Sequence, residues 1–222
     1  MMKFILGKKV GMSRVFRGEE AIPVTLVLAG PCVVTQIKNA DKDTYQAVQI
    51  GWGERKKLSK PLIGHLKKSK LKSTRYLKEF RVDNVDGYKL GQEITASVFQ
   101  PGDKAKVIAI SKGKGFTGVV KRHGFSGSPK THGHRHDERS PGSIGAAFPQ
   151  HVFKGMKMAG RSGHDQVSVK NLEIIEVDAE NNLLAFQGSI PGPRNVLVEI
   201  TAAGSVTESA AKKEDNEPKA KS

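Results

Sequence analysis

Residues 166–177 read QVSVKNLEIIEV, and their pattern indicates a β fold. Polar and apolar side chains alternate along much of it, and β-branched residues are frequent, as expected for a strand with one buried face. Further segments of the same character are 20–28, 32–38, 45–51, 92–98, 104–111, 182–187 and 194–200. Turn sequences such as AGP, NADKD, QPGD, DAENN and PGP separate them. Because many short strands follow one another without a repeating helix, the sequence predicts a mainly β chain closed, or nearly closed, into a barrel.

Positive charge is concentrated in two stretches of the 222-residue chain. Overall, 37 Lys and Arg stand against 22 Asp and Glu, a formal net charge of +15. Residues 54–81 contain eleven Lys or Arg and two Glu, and residues 112–161 contain ten Lys or Arg and two acidic residues. Their net charges of +9 and +8 leave the remainder slightly acidic. Since such a surplus attracts polyanions, we expect these two stretches to bind the partner and the rest to be scaffold.

Membrane insertion and secretion are not indicated. No apolar run approaches the ~18 residues of a spanning helix, and the N-terminal MMKFILGKKVGM has too short an apolar stretch for a signal peptide. Cys32 is the only cysteine, so we expect a small buried hydrophobe and no internal disulfide. These features predict a cytoplasmic protein in a reducing compartment.

The basic stretches are expected to interrupt the barrel. The predicted organisation is a barrel domain of residues 1–111 and 164–203, a lysine-rich insertion 54–81, an extended arm 112–163 and a disordered tail 204–222. The arm holds eleven glycines and few large apolar residues. It cannot bury enough apolar surface to fold alone, so we expect it to fold on a partner.

Helical signal is sparse. Residues 61–72 (PLIGHLKKSKLK) begin with a proline suited to a first helical turn. The sequence GFTGVVKRHGF predicts about two turns that end before Gly124.

The glycine-rich opening of the arm, SKGKGFTG at 111–118, invites comparison with a phosphate-binding loop. It lacks the G-x-x-x-x-G-K-[ST] spacing, so no nucleotide pocket is predicted. Its glycines instead permit close backbone approach to phosphate oxygens. The flanking cations Lys112, Lys114, Lys121 and Arg122 suit a nucleic-acid backbone.

Three alternating histidines in THGHRH, His132, His134 and His136, would point the same way in an extended segment. Three histidines can bind zinc, with water or Asp137 as a further ligand. The flanking glycines offer no strand to fix such geometry, so neither a metal nor a cofactor is predicted. Imidazoles that stack on bases or donate to phosphate are favoured, and a solvated loop is the alternative.

Catalytic arrangements are weak. Ser143, His151 and Asp165 could be drawn as a triad, but no G-x-S-x-G elbow accompanies them. Nothing combines an acid, a base and a substrate pocket, so we predict that the protein is not an enzyme.

Acidic and aromatic residues are scarce in the basic stretches. Asp137 and Glu138 are adjacent and are expected to neutralise Arg135 and Arg139. Aromatics that could either stack on bases or pack in the core are Trp52, Phe116, Phe125, Phe148 and Phe153. The dominance of Lys, Arg, Gly and His favours recognition of RNA shape and backbone over base reading.

Residues 113–163, GKGFTGVVKRHGFSGSPKTHGHRHDERSPGSIGAAFPQHVFKGMKMAGRSG, with the HDQVSV that follows, closely resemble large-subunit ribosomal protein three, the universal L-three family in its bacterial form. LGKKVGMSRVF near the N-terminus and PGDKAKVIAISKGKGF before the arm match as well. The resemblance covers about residues 1–202.

The resemblance implies a translation-protein-type β-barrel with a long irregular extension that threads through ribosomal RNA toward the peptidyl-transferase centre. The protein would then bind large-subunit rRNA and nucleate assembly, and peptide-bond chemistry would belong to the RNA. Neighbours implied are the L-fourteen and L-nineteen families. Some bacterial relatives carry a methylated glutamine at the tip, but the local alignment places that position on Ala147, so methylation of Gln150 is not predicted.

The residues expected to contact RNA combine the arm with the insertion. They are Lys112, Lys114, Lys121, Arg122, Lys130, His132, His134, Arg135, His136, Arg139, Lys154, Lys157, Arg161, Lys56, Lys57, Lys67 and Lys68. The expected tip of the extension comprises Ser143, Ile144, Gly145, Phe148, Gln150 and His151. Two other functions stay open at this point: a nuclease or RNA-modifying enzyme that uses the histidines, and a free nucleic-acid chaperone or regulator.

Overall fold

A ring of six antiparallel strands forms the centre of the fold. The computed structural model describes residues 2–69, 71 and 73–202. The ring strands are β1 (Phe4–Arg17), β2 (Glu20–Ala29), β7 (Lys104–Ile110), β10 (Gln166–Asp178), β11 (Leu183–Gln187) and β12 (Leu197–Ala202). They pair in the order β1–β12–β7–β10–β11–β2, and β2 pairs again with β1, so the ring closes. The prediction of a mainly β chain is confirmed.

Four strands form a second sheet. They are β3 (Cys32–Lys38), β4 (Ala47–Trp52), β5 (Tyr76–Arg81) and β6 (Glu93–Ile94), in the order β5–β4–β3–β6. Three segments expected in the barrel, 32–38, 45–51 and 92–98, therefore lie in this sheet instead. The last is shortened to β6, with a 3-10 turn over Ala96–Val98. Alternation reveals a buried face but not the pairing partner, which is why the sequence did not separate the two sheets.

The structure contains elements that the sequence did not predict. The longest strand, β1, was missed because glycines and lysines interrupt its apolar residues. Helix α1 (Ala40–Asp43) occupies a segment interpreted as a turn. Helix α2 (Lys60–Lys67) has Pro61 in its first turn as predicted but ends five residues before the predicted boundary. No helix in the described part of the chain is long and apolar enough to span a bilayer.

One hydrophobic core joins the barrel to the second sheet. Phe4, Ile5 and Leu6 are consecutive on β1 and all buried, which requires cover on both faces of the strand. The ring of Phe4 stacks on Phe80 of β5 at 4.7 Å between centroids. Cys32 is buried as predicted, and burial raises the pKa of its thiol to about 12. The second sheet therefore packs against the barrel at β1.

The base of the arm has regular structure, which comprises the short helix expected before Gly124 and a strand pair that the sequence did not predict. Strands β8 (Phe116–Thr117) and β9 (Gly160–Arg161) pair, and helix α3 (Val119–His123) follows β8. As predicted, α3 ends before Gly124, whose φ of +74° is in the left-handed region favoured by glycine. The tail expected at 204–222 lies outside the described residues.

Candidate nucleic-acid interface

The arm begins as a continuation of the barrel. Strands β7 and β10 pair as far as Ile110 and Gln166. The N–H of Ser111 then donates to the carbonyl of Asp165, and that of Lys114 to Ser162, both at 2.9 Å. The pairing of β8 with β9 extends this ladder. The two limbs of the arm therefore leave the barrel side by side, held by backbone hydrogen bonds.

A close backbone approach at Gly163 keeps these limbs together. Gly163 has a φ of +71°, and a Cβ atom there would collide with the backbone carbonyl of Lys112. Glycine alone combines this backbone conformation with such a short approach. The limbs are thus packed backbone against backbone at the start of the arm.

A side-chain clasp joins the limbs further out. The guanidinium Nη1 of Arg122 donates to the carbonyl oxygen of Met158 at 2.8 Å. Nε2 of His123 lies 3.0 Å from the same oxygen. Gly160 lies against the Arg122 guanidinium, which would clash with a Cβ there. Val119 is only 2% exposed, so α3 is anchored at the base of the arm.

Beyond the clasp the arm has turns but no helix or strand. The N–H of Ser128 donates to the carbonyl of Glu138 at 3.0 Å and closes a loop within the outgoing limb. All the predicted tip residues are exposed: Ser143, Ile144, Gly145, Phe148, Gln150 and His151. Phe148 is 80% exposed. The tip thus presents polar and aromatic side chains rather than packing them.

The arm cations are exposed. Of the thirteen Lys, Arg and His residues predicted to contact RNA from the arm, only His134 is half-buried. The ion pairs within the described residues are Lys3–Asp103, Lys38–Glu79 and Lys78–Glu199. None involves the arm, so the expected neutralisation of Arg135 and Arg139 by Asp137 and Glu138 does not take the form of ion pairs. Unpaired, solvated cations can exchange their counterions for phosphates.

The lysine-rich insertion is a connection within the second sheet. It links β4 to β5, and its last residues form β5 itself rather than a loop. Lys56, Lys57, Lys67 and Lys68 are all exposed. The charge density of 54–81 concealed the alternation of YLKEFR in β5.

The two basic stretches meet at the base of the arm. A cavity of about 530 Å³ has Tyr76 and Lys78 of β5 on one side and Ile110, His164 and Gln166 on the other. Trp52 stacks on Tyr76 at 6.0 Å, and the Arg75 guanidinium lies 5.2 Å from the Tyr76 ring. The end of the insertion and the start of the arm therefore form one continuous surface.

The histidine segment is a series of turns rather than an extended strand. His132 has a φ of +59°, so the segment is not extended and does not direct His132, His134 and His136 to the same side. Across the described part of the chain, no three His, Cys, Asp or Glu side chains are placed to hold a metal ion.

The five aromatic residues that could stack on bases differ in exposure. Phe116 and Phe148 are each 80% exposed and Phe153 is 57% exposed, whereas Trp52 and Phe125 are half-buried. Sequence reasoning missed another exposed aromatic, Phe16 at the end of β1, with the Arg14 guanidinium 5.6 Å from its ring. The sequence SRVFR, in which an arginine precedes a phenylalanine by two residues, could have indicated this exposed aromatic.

Comparison with known proteins identifies the family. The model of the family described as Ribosomal protein L3 matches residues 78–182. Large ribosomal subunit protein uL3 of Petrotoga mobilis is 51% identical over 205 residues, which cover 91% of this chain and 96% of the relative. The proteins of the same name from Pelotomaculum thermopropionicum and Carboxydothermus hydrogenoformans are 48% and 50% identical over 206 residues, covering 91% of this chain and 98% of each relative. The chain belongs to the ribosomal protein L3 family.

Proposed function

We propose that this chain is a structural constituent of the large ribosomal subunit that binds ribosomal RNA through the arm 112–163 and the insertion 54–81. One observation supports this proposal above the others: the arm cations are exposed and form no ion pairs among the described residues. The arm that presents them is connected to the barrel by backbone hydrogen bonds at its base. The chain is not an enzyme, because its family consists of structural ribosomal proteins. The histidine-based nuclease alternative is therefore discarded.

Affinity in this proposal comes from phosphate neutralisation. Each Lys or Arg that replaces a condensed counterion releases it, which makes binding steeply dependent on salt. Ordering a free chain costs ~1–2 kcal/mol per residue. The cross-limb ladder and the Arg122 clasp reduce this cost at the base, so the cost falls mainly on the residues beyond them.

The residues proposed to contact RNA are those predicted from sequence. Arg122 has a second role as a clasp. Arg139 and Lys154 flank the tip and are proposed to contribute most there. The tip, Ser143 to His151, is proposed to point toward the peptidyl-transferase centre, as the family resemblance implies.

Assembly and protein partners follow from the same proposal. The chain would join the subunit early and nucleate folding of the RNA around the arm, in the cytoplasm of a bacterial cell. Its proposed protein neighbours are members of the L-fourteen and L-nineteen families. Chemical crosslinking of purified large subunits, followed by mass spectrometry, tests these neighbours directly.

Sucrose-gradient sedimentation through a high-salt wash tests the function. We expect nearly all of the protein to sediment with large subunits. A substantial free fraction would favour the alternative of a nucleic-acid chaperone. The Arg139→Gln, Lys154→Gln double variant should leave the subunits at lower salt than the wild type. The matched control, Lys42→Gln with Lys89→Gln, removes two exposed cations outside both basic stretches and should sediment like the wild type.

A further inference from the structure

An open cavity of about 490 Å³ lies within the outgoing limb of the arm, beyond the clasp. It is lined by Gly124, Phe125, Ser126, Gly127, Ser128, Ser140, Pro141 and Gly142. The hydrogen bond from the N–H of Ser128 to the carbonyl of Glu138 joins the two segments that supply its walls. Gly127 is required there, because a Cβ atom would collide with the same carbonyl. The cavity is therefore formed by the fold of the arm itself.

The walls of this cavity are polar but uncharged. The hydroxyls of Ser126, Ser128 and Ser140 have no hydrogen-bond partner within the described residues. A hydroxyl can both donate and accept, so three of them can match the mixed donor and acceptor edge of a nucleobase or a ribose 2′-OH. Phe125 is half-buried and is the one aromatic ring in the lining. A phosphate group only accepts hydrogen bonds, so it would bind better beside cations than in this cavity.

No cation lines the cavity, but three are close to its walls in the sequence. Lys121 and Arg122 precede its first wall, and Arg139 precedes the second. This distribution fits a ligand with a neutral, planar part and an anionic backbone on either side. A volume of about 490 Å³ falls in the range of small-ligand sites, roughly 300–1,000 Å³.

We infer that the cavity receives one unstacked ribonucleotide of the bound RNA, and this inference rests on the proposed function. The base lies against the ring of Phe125, and its polar edge or the 2′-OH is hydrogen-bonded by the serines. The flanking phosphates are neutralised by Lys121, Arg122 and Arg139. The arm would thus hold its RNA at one defined nucleotide in addition to its general attraction to phosphates.

Chemical probing of large subunits that carry full-length variants tests this inference. Dimethyl sulfate and a 2′-OH acylating reagent would be applied to subunits with the wild type, with Phe125→Leu, and with Ser126→Leu and Ser140→Leu to fill the cavity. The expected result is a single nucleotide whose reactivity rises several-fold in both variants. Ultraviolet crosslinking should join that nucleotide to Phe125 in the wild type. The control, Ser97→Leu, changes an exposed serine outside the arm and the insertion and should leave this nucleotide unchanged.

The inference is overturned if every nucleotide near the arm keeps its wild-type reactivity in particles that carry the filled cavity. It is also overturned if changes are confined to backbone positions and no crosslink to Phe125 forms. Should the filled variant fail to enter subunits, Phe125→Leu, which preserves an apolar side chain, decides the matter. Failure of the proposed function is a separate result, since the wild type itself would then not sediment with large subunits.

Discussion

The Arg122 guanidinium donates a hydrogen bond of 2.8 Å to the Met158 carbonyl oxygen and so ties the outgoing limb of the arm to the returning one. A residue predicted only as a phosphate ligand is therefore also a structural brace. The same guanidinium has further N–H groups and is exposed, so it can meet phosphate while it holds the limbs. Arg122 therefore supplies both a positive charge for RNA and a hydrogen bond that holds the two limbs together.

Arg122→Lys should separate these two roles. The substitution keeps the positive charge but not the planar guanidinium, so the clasp should weaken while phosphate attraction persists. We expect faster amide hydrogen exchange at Lys114 and Ser162, and an unchanged slope of log K against log salt for RNA binding. Lys121→Ala is the matched control: its slope should fall by about 0.7–0.9 with exchange unchanged. Equal exchange in Arg122→Lys and the wild type would contradict the clasp.

Substitutions at Gly192 and Gly188 separate the effect of a close backbone approach from that of a positive φ. Both have positive φ, +94° and +88°, but a Cβ atom at Gly192 would strike the carbonyl of Ile110 and the side chain of Val196, whereas Gly188 has open space. We expect Gly188→Ala to cost about 1–2 kcal/mol of unfolding free energy from the backbone alone. Gly192→Ala should cost about 1–3 kcal/mol more. Denaturant unfolding measures both, and equal losses would refute the close approach.

Phe4 should carry much of the packing between the barrel and the second sheet. It is 1% exposed, stacks on Phe80 and lies 5.5 Å from the ring of Tyr88. Phe4→Ala should therefore destabilise the fold by about 3–5 kcal/mol. Phe16→Ala, on the same strand but 64% exposed, should cost less than about 1 kcal/mol. Comparable losses in the two variants, measured by thermal or denaturant unfolding, would contradict the shared core.

Asp103 gives the fold an acid-sensitive contact. Partial burial by itself would raise the pKa of this carboxyl, but the hydrogen bonds from Lys3 Nζ at 2.7 Å and from the Gln100 N–H lower it. A carboxyl with a lowered folded-state pKa stabilises the protein above its unfolded pKa, and that stabilisation is lost as pH falls through the folded value.

Removing the contact should therefore flatten the acid side of the stability profile. Between about pH 7 and about pH 3, Asp103→Asn should lose less unfolding free energy than the wild type. Asp41→Asn, which removes an exposed carboxylate that forms no ion pair among the described residues, should follow the wild type. An Asp103→Asn profile as steep as that of the wild type would show that the Lys3 contact adds no stability.

The sequence predicted strands well where alternation was undisturbed. Segments 20–28, 32–38, 104–111 and 166–177 correspond to β2, β3, β7 and β10 within one residue at each end. It failed at β1 and β5, where lysines and glycines replaced the apolar residues that make the pattern visible. It also could not assign strands to sheets, because pairing depends on contacts such as Phe4 on Phe80 between residues far apart in sequence.

The arm was located from charge and glycine content, but its internal order was not foreseen. The ladder through Ser111, Lys114 and Ser162 uses backbone groups, which any sequence possesses. The close approach at Gly163 is visible only once the opposite limb is known. Because the arm contains many glycines, the sequence does not show which of them is required for a close backbone approach.

Hydrogen exchange of the full-length protein, free and bound to large-subunit RNA, shows whether the arm beyond the clasp becomes ordered only on RNA. We expect amides of the hydrogen-bonded base, such as Lys114 and Ser162, to be protected in both states. Amides from about 141 to 157 should exchange quickly in the free protein and become strongly protected on RNA. A tip already protected in the free protein, or unchanged by RNA, would show that the arm does not fold on RNA.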